Sequence, residues 1–170
     1  KRQNLNGVAS AFTQIGSDID GEAANDYSGR SVSLSADGSV IAIGADYGNS
    51  DKGYVRIYQN INSTWTQIGS DIDGEAIGDQ SGRSVSISAD GSIVAVGASG
   101  NDGNGNNSGH VRLYRNNNNT WTQIGNDIDG ETAGDYSGNS ISLSADGSIV
   151  AIGALDNDGN GSNSGHVRIY

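Results

Sequence analysis

Oxygen-rich side chains with metal-ligand spacing are the first residues in this chain that could do chemistry. Asp156-Asn157-Asp158-Gly159-Asn160-Gly161 fits the D-x-D-x-[DN]-G opening of a calcium loop. Oxygens two residues apart can converge on one hard cation, and Gly at the sixth place permits the sharp turn. The expected ligands are therefore Asp156, Asp158 and Asn160, and the one cofactor the sequence suggests is calcium (Ca2+). The same residues also suit a solvated polar turn. An EF-hand would place its bidentate Glu where this chain has Val167, and the equivalent loop upstream keeps only Asp102 and Asn104.

Other chemistries find less support. Without Cys there is no thiolate site, disulfide or cysteine nucleophile. His110 and His166 share one position of an internal repeat, where the first copy has Tyr54, and a catalytic group would rarely be duplicated in that way. Gly103–Gly109 is glycine-rich but lacks the Lys-Ser/Thr of a phosphate loop. No carboxylate pair is marked as having the separated pKa values that glycosidase-like chemistry needs. The expectation is a protein that is not an enzyme. Asn62, Asn106, Asn118 and Asn160 open Asn-x-Ser/Thr triplets, which are glycosylation candidates in a secreted chain.

Charge narrows the partners. With 20 acidic and 9 basic side chains the formal net charge is −11, which removes the attraction that drives nucleic-acid binding. No apolar run approaches the roughly 18 residues of a membrane span. The chain has no Met at all, so residue 1 is not a translation start, and an excerpt of a longer array is expected.

The elements that must position these residues come in three copies. Aromatic-Thr-Gln-Ile-Gly recurs at Phe12, Trp65 and Trp121, followed each time by Asp-Ile-Asp-Gly-Glu (Asp18–Glu22, Asp71–Glu75, Asp127–Glu131). A serine-alternating segment with Ser-Ala-Asp-Gly-Ser then leads into an apolar run ending in Gly-Ala, a polar loop and Val-Arg-Ile/Leu-Tyr. The copies span approximately 1–58, 59–114 and 115–170. In the second, four strands are expected: Arg83–Ser88, Ser92–Ala98, His110–Tyr114, and a fourth from Thr120 to near Asp127. Ala89-Asp90-Gly91 is a hairpin turn with Gly at its positive-φ position. Ile93–Val96 is apolar on both faces and must be covered on both. A repeating four-stranded antiparallel unit of this kind is what a β-propeller blade requires, so the fold class is all-β. Ser31, Ser33 and Ser35 supply small side chains where blades crowd the axis.

Tyr27-Ser28-Gly29-Arg30-Ser31-Val32-Ser33-Leu34-Ser35 and Ala42-Ile43-Gly44-Ala45 resemble FG-GAP repeats, the blades of integrin-α-type propellers. Ser28-Gly29 replaces Phe-Gly, and Asp46, Ser99 and Leu155 stand where the family's final Pro would be. The family's calcium loop between the first two strands is cut to Ala-Asp-Gly, so that site does not carry over. The resemblance implies a propeller of usually seven blades, an extracellular or cell-surface location, and a role in adhesion or protein recognition.

Strand direction then sorts the loops. Second-to-third-strand loops and blade junctions share one face, which should be strongly acidic and receive a protein or glycan ligand. Phe12–Asp18 is expected as the outer strand of an upstream blade. Three blades leave two faces open, to be covered by further blades of the parent chain or by other copies, either closing a ring or forming a surface filament. A sugar-binding propeller with one pocket per blade, using groups such as Tyr27 and Tyr136, is a third reading.

Overall fold

Alternation of Ser with Val, Ile or Leu, punctuated by Ala-Asp-Gly, builds the first two strands of every unit. The computed structural model describes residues 13–170. The first sheet contains β1 (Ser31–Leu34), β2 (Val40–Ala45), β3 (Tyr54–Ile61), β4 (Thr64–Gln67) and the short β5 (Ile72–Asp73). The second contains β6 (Ser81–Ile87), β7 (Ile93–Ala98), β8 (His110–Asn117) and β9 (Thr120–Asp129). The third contains β10 (Ser137–Leu143), β11 (Val150–Ala154) and β12 (His166–Ile169). Strands follow one another in sequential antiparallel order, and β4 and β5 both pair with β3 as one interrupted outer strand. This is the blade plan expected from the sequence, and the protein is an all-β propeller assembly.

One expected strand is absent. Thr13–Asp18 carries no strand, and Phe12 and the preceding residues lie outside the described part. An outer strand exists only by pairing with a third strand, and among the described residues none lies beside this segment. It is held instead by the Trp65 indole, whose Nε1 donates to the Ile15 carbonyl at 2.9 Å. The same bond recurs one blade on, from Trp121 to Ile68.

The blades stack face on face in a constant order. Val40, Ala42, Val55, Ile57, Ile68 and Ile72 of the first pack on Val85, Ile87, Val94 and Val96 of the second. Ala95 and Val111 on the far side of the second then meet Val150 and Ile152 of the third. The middle blade is thus covered on both faces, as its two-sided apolar strand β7 requires. First strands pack on one another, β1 on β6 and β6 on β10, so they lie nearest the axis.

At the axis the serines do more than save space. Ser31 donates to the Gly82 carbonyl (2.8 Å) and Ser84 to the Gly138 carbonyl (2.7 Å). Ser33 accepts the Ile87 N–H (3.1 Å), and Ser86 accepts that of Leu143 (2.9 Å). Each blade therefore supplies hydroxyl partners to backbone groups on the exposed edge of the next first strand. Those edges would otherwise be unsatisfied. The acceptors Gly82 and Gly138 sit in register irregularities that interrupt the β6–β7 and β10–β11 ladders.

The Ala-Asp-Gly turns are closed by their aspartates. Asp37 accepts from the Ser39 N–H and from the Ser35 and Ser39 hydroxyls, and Asp90 and Asp146 repeat the pattern. Donation from Ser39 and Ser35 holds the Asp37 carboxyl at about 2, and Ser144 and Ser148 hold Asp146 at about 2. Ser88 and Ser92 lower Asp90 as well. Because these folded-state pKa values lie below the unfolded one, their stabilisation is complete above about pH 4 and is lost as pH falls through about 2. Urea midpoints measured down that range should decline, and Asp90→Asn should make the decline shallower.

Candidate functional site

Loops between second and third strands and the blade junctions do emerge together, because they hydrogen-bond to each other. Gly74 N–H donates to the Gly53 carbonyl and Ser81 N–H to that of Lys52; Gly130 to Gly109 and Ser137 to Ser108 repeat the pattern. Gly53 and Gly109 allow this closeness through positive φ (75° and 73°), and a Cβ on either would collide with the backbone of Ser81 or Ser137. The face is therefore a continuous backbone-bonded platform. On it Asp20, Asp51, Asp73, Asp102, Asp129 and Asp158 are exposed.

Within the platform, the repeated Asp-Ile-Asp-Gly-Glu segment has a definite job. Arg112 on β8 bonds Asp127 through Nε (3.0 Å) and Nη2 (2.7 Å), and it also pairs with Glu75 of the preceding junction. Arg56 holds Asp71 and Glu22 in the same way, while Arg168 reaches Glu131 at 3.7 Å. Gln67 and Gln123 complete the carboxylates at 2.6 Å each. Each of the three arginines thus ties a third strand to the junction before it.

Glu75, His110 and Asp127 also form a cluster close enough to hold a metal ion. Arg112 already supplies the positive charge there, and it holds the Asp127 carboxyl below the usual carboxylate range. His110 Nδ1 lies 3.7 Å from Asp127, but burial and then Arg112 push its pKa down, so the imidazole stays neutral near pH 7. The cluster fits a guanidinium-centred clamp and not a cation site. A third acidic series, Asp26, Asp79 and Asp135, is buried and caps the junction turns by accepting the N–H of Ala23, Ala76 and Thr132. Tyr54 donates to Asp26 at 3.0 Å, and burial with that bond pushes the phenol up to about 12.

The loop singled out for calcium places Asp158 and Asn160 at the surface and Asp156 half-buried. Asp158 Oδ1 accepts the Asn163 N–H (2.7 Å), and Asn157 Oδ1 accepts that of Gly159 (2.9 Å). Asp102 and Asn101 make the same two bonds in the middle blade. The spacing that reads as the opening of a calcium loop thus closes this loop on its own backbone. Asn62, Asn106, Asn118 and Asn160 are all exposed. Asn62 and Asn118 lie in β3–β4 and β8–β9 turns with positive φ (52° and 51°), and Ser108 of the Asn106 triplet is fully buried.

One residue group was singled out by sequence reasoning only through Tyr27. Asp46 is 1% exposed, with Arg30 at 3.4 Å and Arg83 at 3.2 Å. Tyr27 and Tyr47 meet edge to face beside it, with ring centroids 5.3 Å apart. The available signal was a departure from the repeat: Asp46-Tyr47 stands where the other copies have Ser99-Gly100 and Leu155-Asp156.

Comparison with known proteins agrees with this architecture. Residues 70–114 match the FG-GAP repeat family. No curated protein matches the chain by sequence. Among solved structures, hydrazine synthase from Kuenenia stuttgartiensis is similar at 16% identity and a TM-score of 0.51, over 82% of this chain and 32% of that one. TolB from Acinetobacter baumannii is similar at 16% identity and a TM-score of 0.47, over 85% of this chain and 32% of its own. The chain thus spans about a third of either structure. At such identity the likeness to hydrazine synthase concerns the fold alone. The family match lies on the middle copy of the repeat, from the junction after β4 into β8.

Proposed function

We propose that this chain is a non-enzymatic propeller module of a cell surface or extracellular protein, recognising a protein partner through its acidic loop face. The carrying observation is the platform itself. Loops from successive blades are bonded to each other, so exposed carboxylates such as Asp73 and Asp129 are presented on a rigid base. Rigid presentation lowers the ordering cost of association, and clustered negative charge suits a partner rich in Lys and Arg. Glu22, Asp71, Glu75, Asp127 and Glu131 at the blade junctions pair with Arg56, Arg112 and Arg168, which supports a structural role for them.

A lysine-rich peptide in a surface-binding assay tests this reading. The triple change Asp20→Asn, Asp73→Asn, Asp129→Asn raises the net charge from −11 to −8 on the loop face. Thr64→Lys, Asn117→Lys, Thr120→Lys raises it equally on the opposite face. The first set should weaken binding and flatten its salt dependence far more than the second. Equal losses would reduce the attraction to net charge and overturn the reading.

Association between copies is supported by a separate observation. Val32 and Leu34 are exposed on one outer face, and Val167 and Ile169 on the other. These occupy positions that in the middle blade are covered, Val85 and Ile87 against the first blade and Val111 with the half-buried Leu113 against the third. The two outer faces are complementary in the sense of the internal junctions, which supports a head-to-tail contact with another copy or with a further blade. Sedimentation should show mass rising with concentration, and Val167→Asp with Ile169→Asp should abolish the rise. A concentration-independent monomer would exclude this second reading.

A further inference from the structure

The pocket of Tyr27, Arg30, Asp46, Tyr47 and Arg83 departs from the acidic character of the face around it. We propose that it is a binding site for a single carboxylate-bearing sugar ring, a hexuronate. It is distinct from the acidic platform and does not depend on the partner reading above.

Four observations carry the assignment. First, the cavity encloses about 280 Å³, near the lower bound of small-ligand pockets, which suits one ring. Second, its charges sum to +1: two guanidinium groups against the Asp46 carboxylate, on a chain of −11. A monoanion neutralises that balance, whereas a phosphate dianion would overshoot it beside a buried carboxylate. Third, Asp46 is 1% exposed and its Oδ1 has no hydrogen-bond partner among the described residues. Its other oxygen, Oδ2, meets both guanidinium groups, so the buried carboxylate fixes their position at the pocket. Fourth, the site occurs once in the described repeat array, between the first blade and Arg83 of the second. Structural positions recur in every copy, but Asp46 and Tyr47 occur only in the first.

The parts are disposed for the chemistry. Asp46 Oδ2 draws Arg30 Nε and Arg83 Nη1 toward one point, and Asn139 Oδ1 accepts from Arg83 Nε at 3.3 Å. Among the described residues the terminal nitrogens of Arg30 make no hydrogen bond or ion pair, so a two-pronged carboxylate contact is open to them. Tyr27 is 62% exposed and held at a positive φ of 54°, which sets its ring at the pocket mouth against Tyr47. Aromatic side chains so placed supply an apolar surface for a ring and a hydroxyl at its rim.

The test is NMR titration of the intact chain, following the Tyr27 and Tyr47 ring signals. Glucuronate should shift them saturably, glucose should not, and acetate should bind at least about tenfold more weakly than glucuronate. Arg30→Ala should weaken glucuronate binding by about tenfold or more. Asp46→Ser with Tyr47→Gly restores the second copy's residues at positions where that blade folds, and it should abolish binding while retaining the wild-type spectrum elsewhere. The proposal is overturned by any of three results: no glucuronate response, equal response to acetate, or undiminished binding in the restored variant.

Discussion

Replacing Gly44 with Ala should destabilise the protein by about 3 kcal/mol or more, seen as a lowered urea midpoint, although Ala normally favours a strand over Gly. A Cβ at Gly44 would lie well inside contact distance of the Gly82 carbonyl on the next blade, and one at Gly97 would collide in the same way with Gly138. Those carbonyls are backbone and are already bonded to Ser31 and Ser84, so relief requires prying the blades apart. Gly153 provides the control at the same repeat position. Its Cβ would meet the Ser140 side chain of its own blade, which can rotate away, so Gly153→Ala should cost no more than about 1 kcal/mol. Equal effects at the two sites would mean that the blade junction is not as tight as described.

The second large effect is expected at Arg112. Its side chain is only 12% exposed and faces two carboxylates, so Arg112→Ala strands Asp127 and Glu75 together without a counter-charge. The expected loss is about 2–4 kcal/mol. Arg112→Lys should recover only part of it, because an ammonium cannot reproduce the paired contacts from Nε and Nη2 to Asp127. Arg168 meets Glu131 at a longer 3.7 Å, and Arg168→Ala should cost less than half as much. Chemical denaturation of the three variants decides the ranking. A neutral outcome at Arg112 would revive the metal reading of Glu75, His110 and Asp127, since the guanidinium would then be dispensable there.

Much of this architecture could be read in the chain because its signals are local. Ser-Val-Ser-Leu alternation, Ala-Asp-Gly turns and the apolar run before Gly-Ala set strand, turn and buried strand within about fifteen residues. Repetition then multiplied the signal. The junction chemistry was not legible, because its partners are far apart in sequence: Ser31 reaches Gly82, and Ser33 reaches Ile87. A serine needed for space and a serine needed for a hydrogen bond look alike in sequence. The acidic segment was half legible. Its recurrence was plain, but only the fold shows that Asp71 and Asp127 face the arginines and that Asp26, Asp79 and Asp135, just beyond it, cap the turns. Phe12–Asp18 reads as a strand from its own residues, yet among the described residues no strand lies beside Thr13–Asp18, since pairing is decided by the neighbour and not by the pattern.

The pocket at Asp46 illustrates the converse. Repeats make structural residues conspicuous through recurrence, so attention passes over the places where one copy differs. Asp46 and Tyr47 carried no motif, and only their convergence with Arg30, Arg83 and Tyr27 gives them meaning.

Serine hydroxyls tie each first strand to the next blade, and amide hydrogen exchange at Ile87 reads that tie directly. Its N–H lies on the edge strand of its own sheet and is satisfied by Ser33 of the preceding blade. The expected result is slow exchange at Ile87 that Ser33→Ala accelerates selectively, leaving Leu143, tied to Ser86, still protected. Fast exchange at Ile87 in the unmodified protein, indifferent to Ser33, would contradict the stacking of the blades.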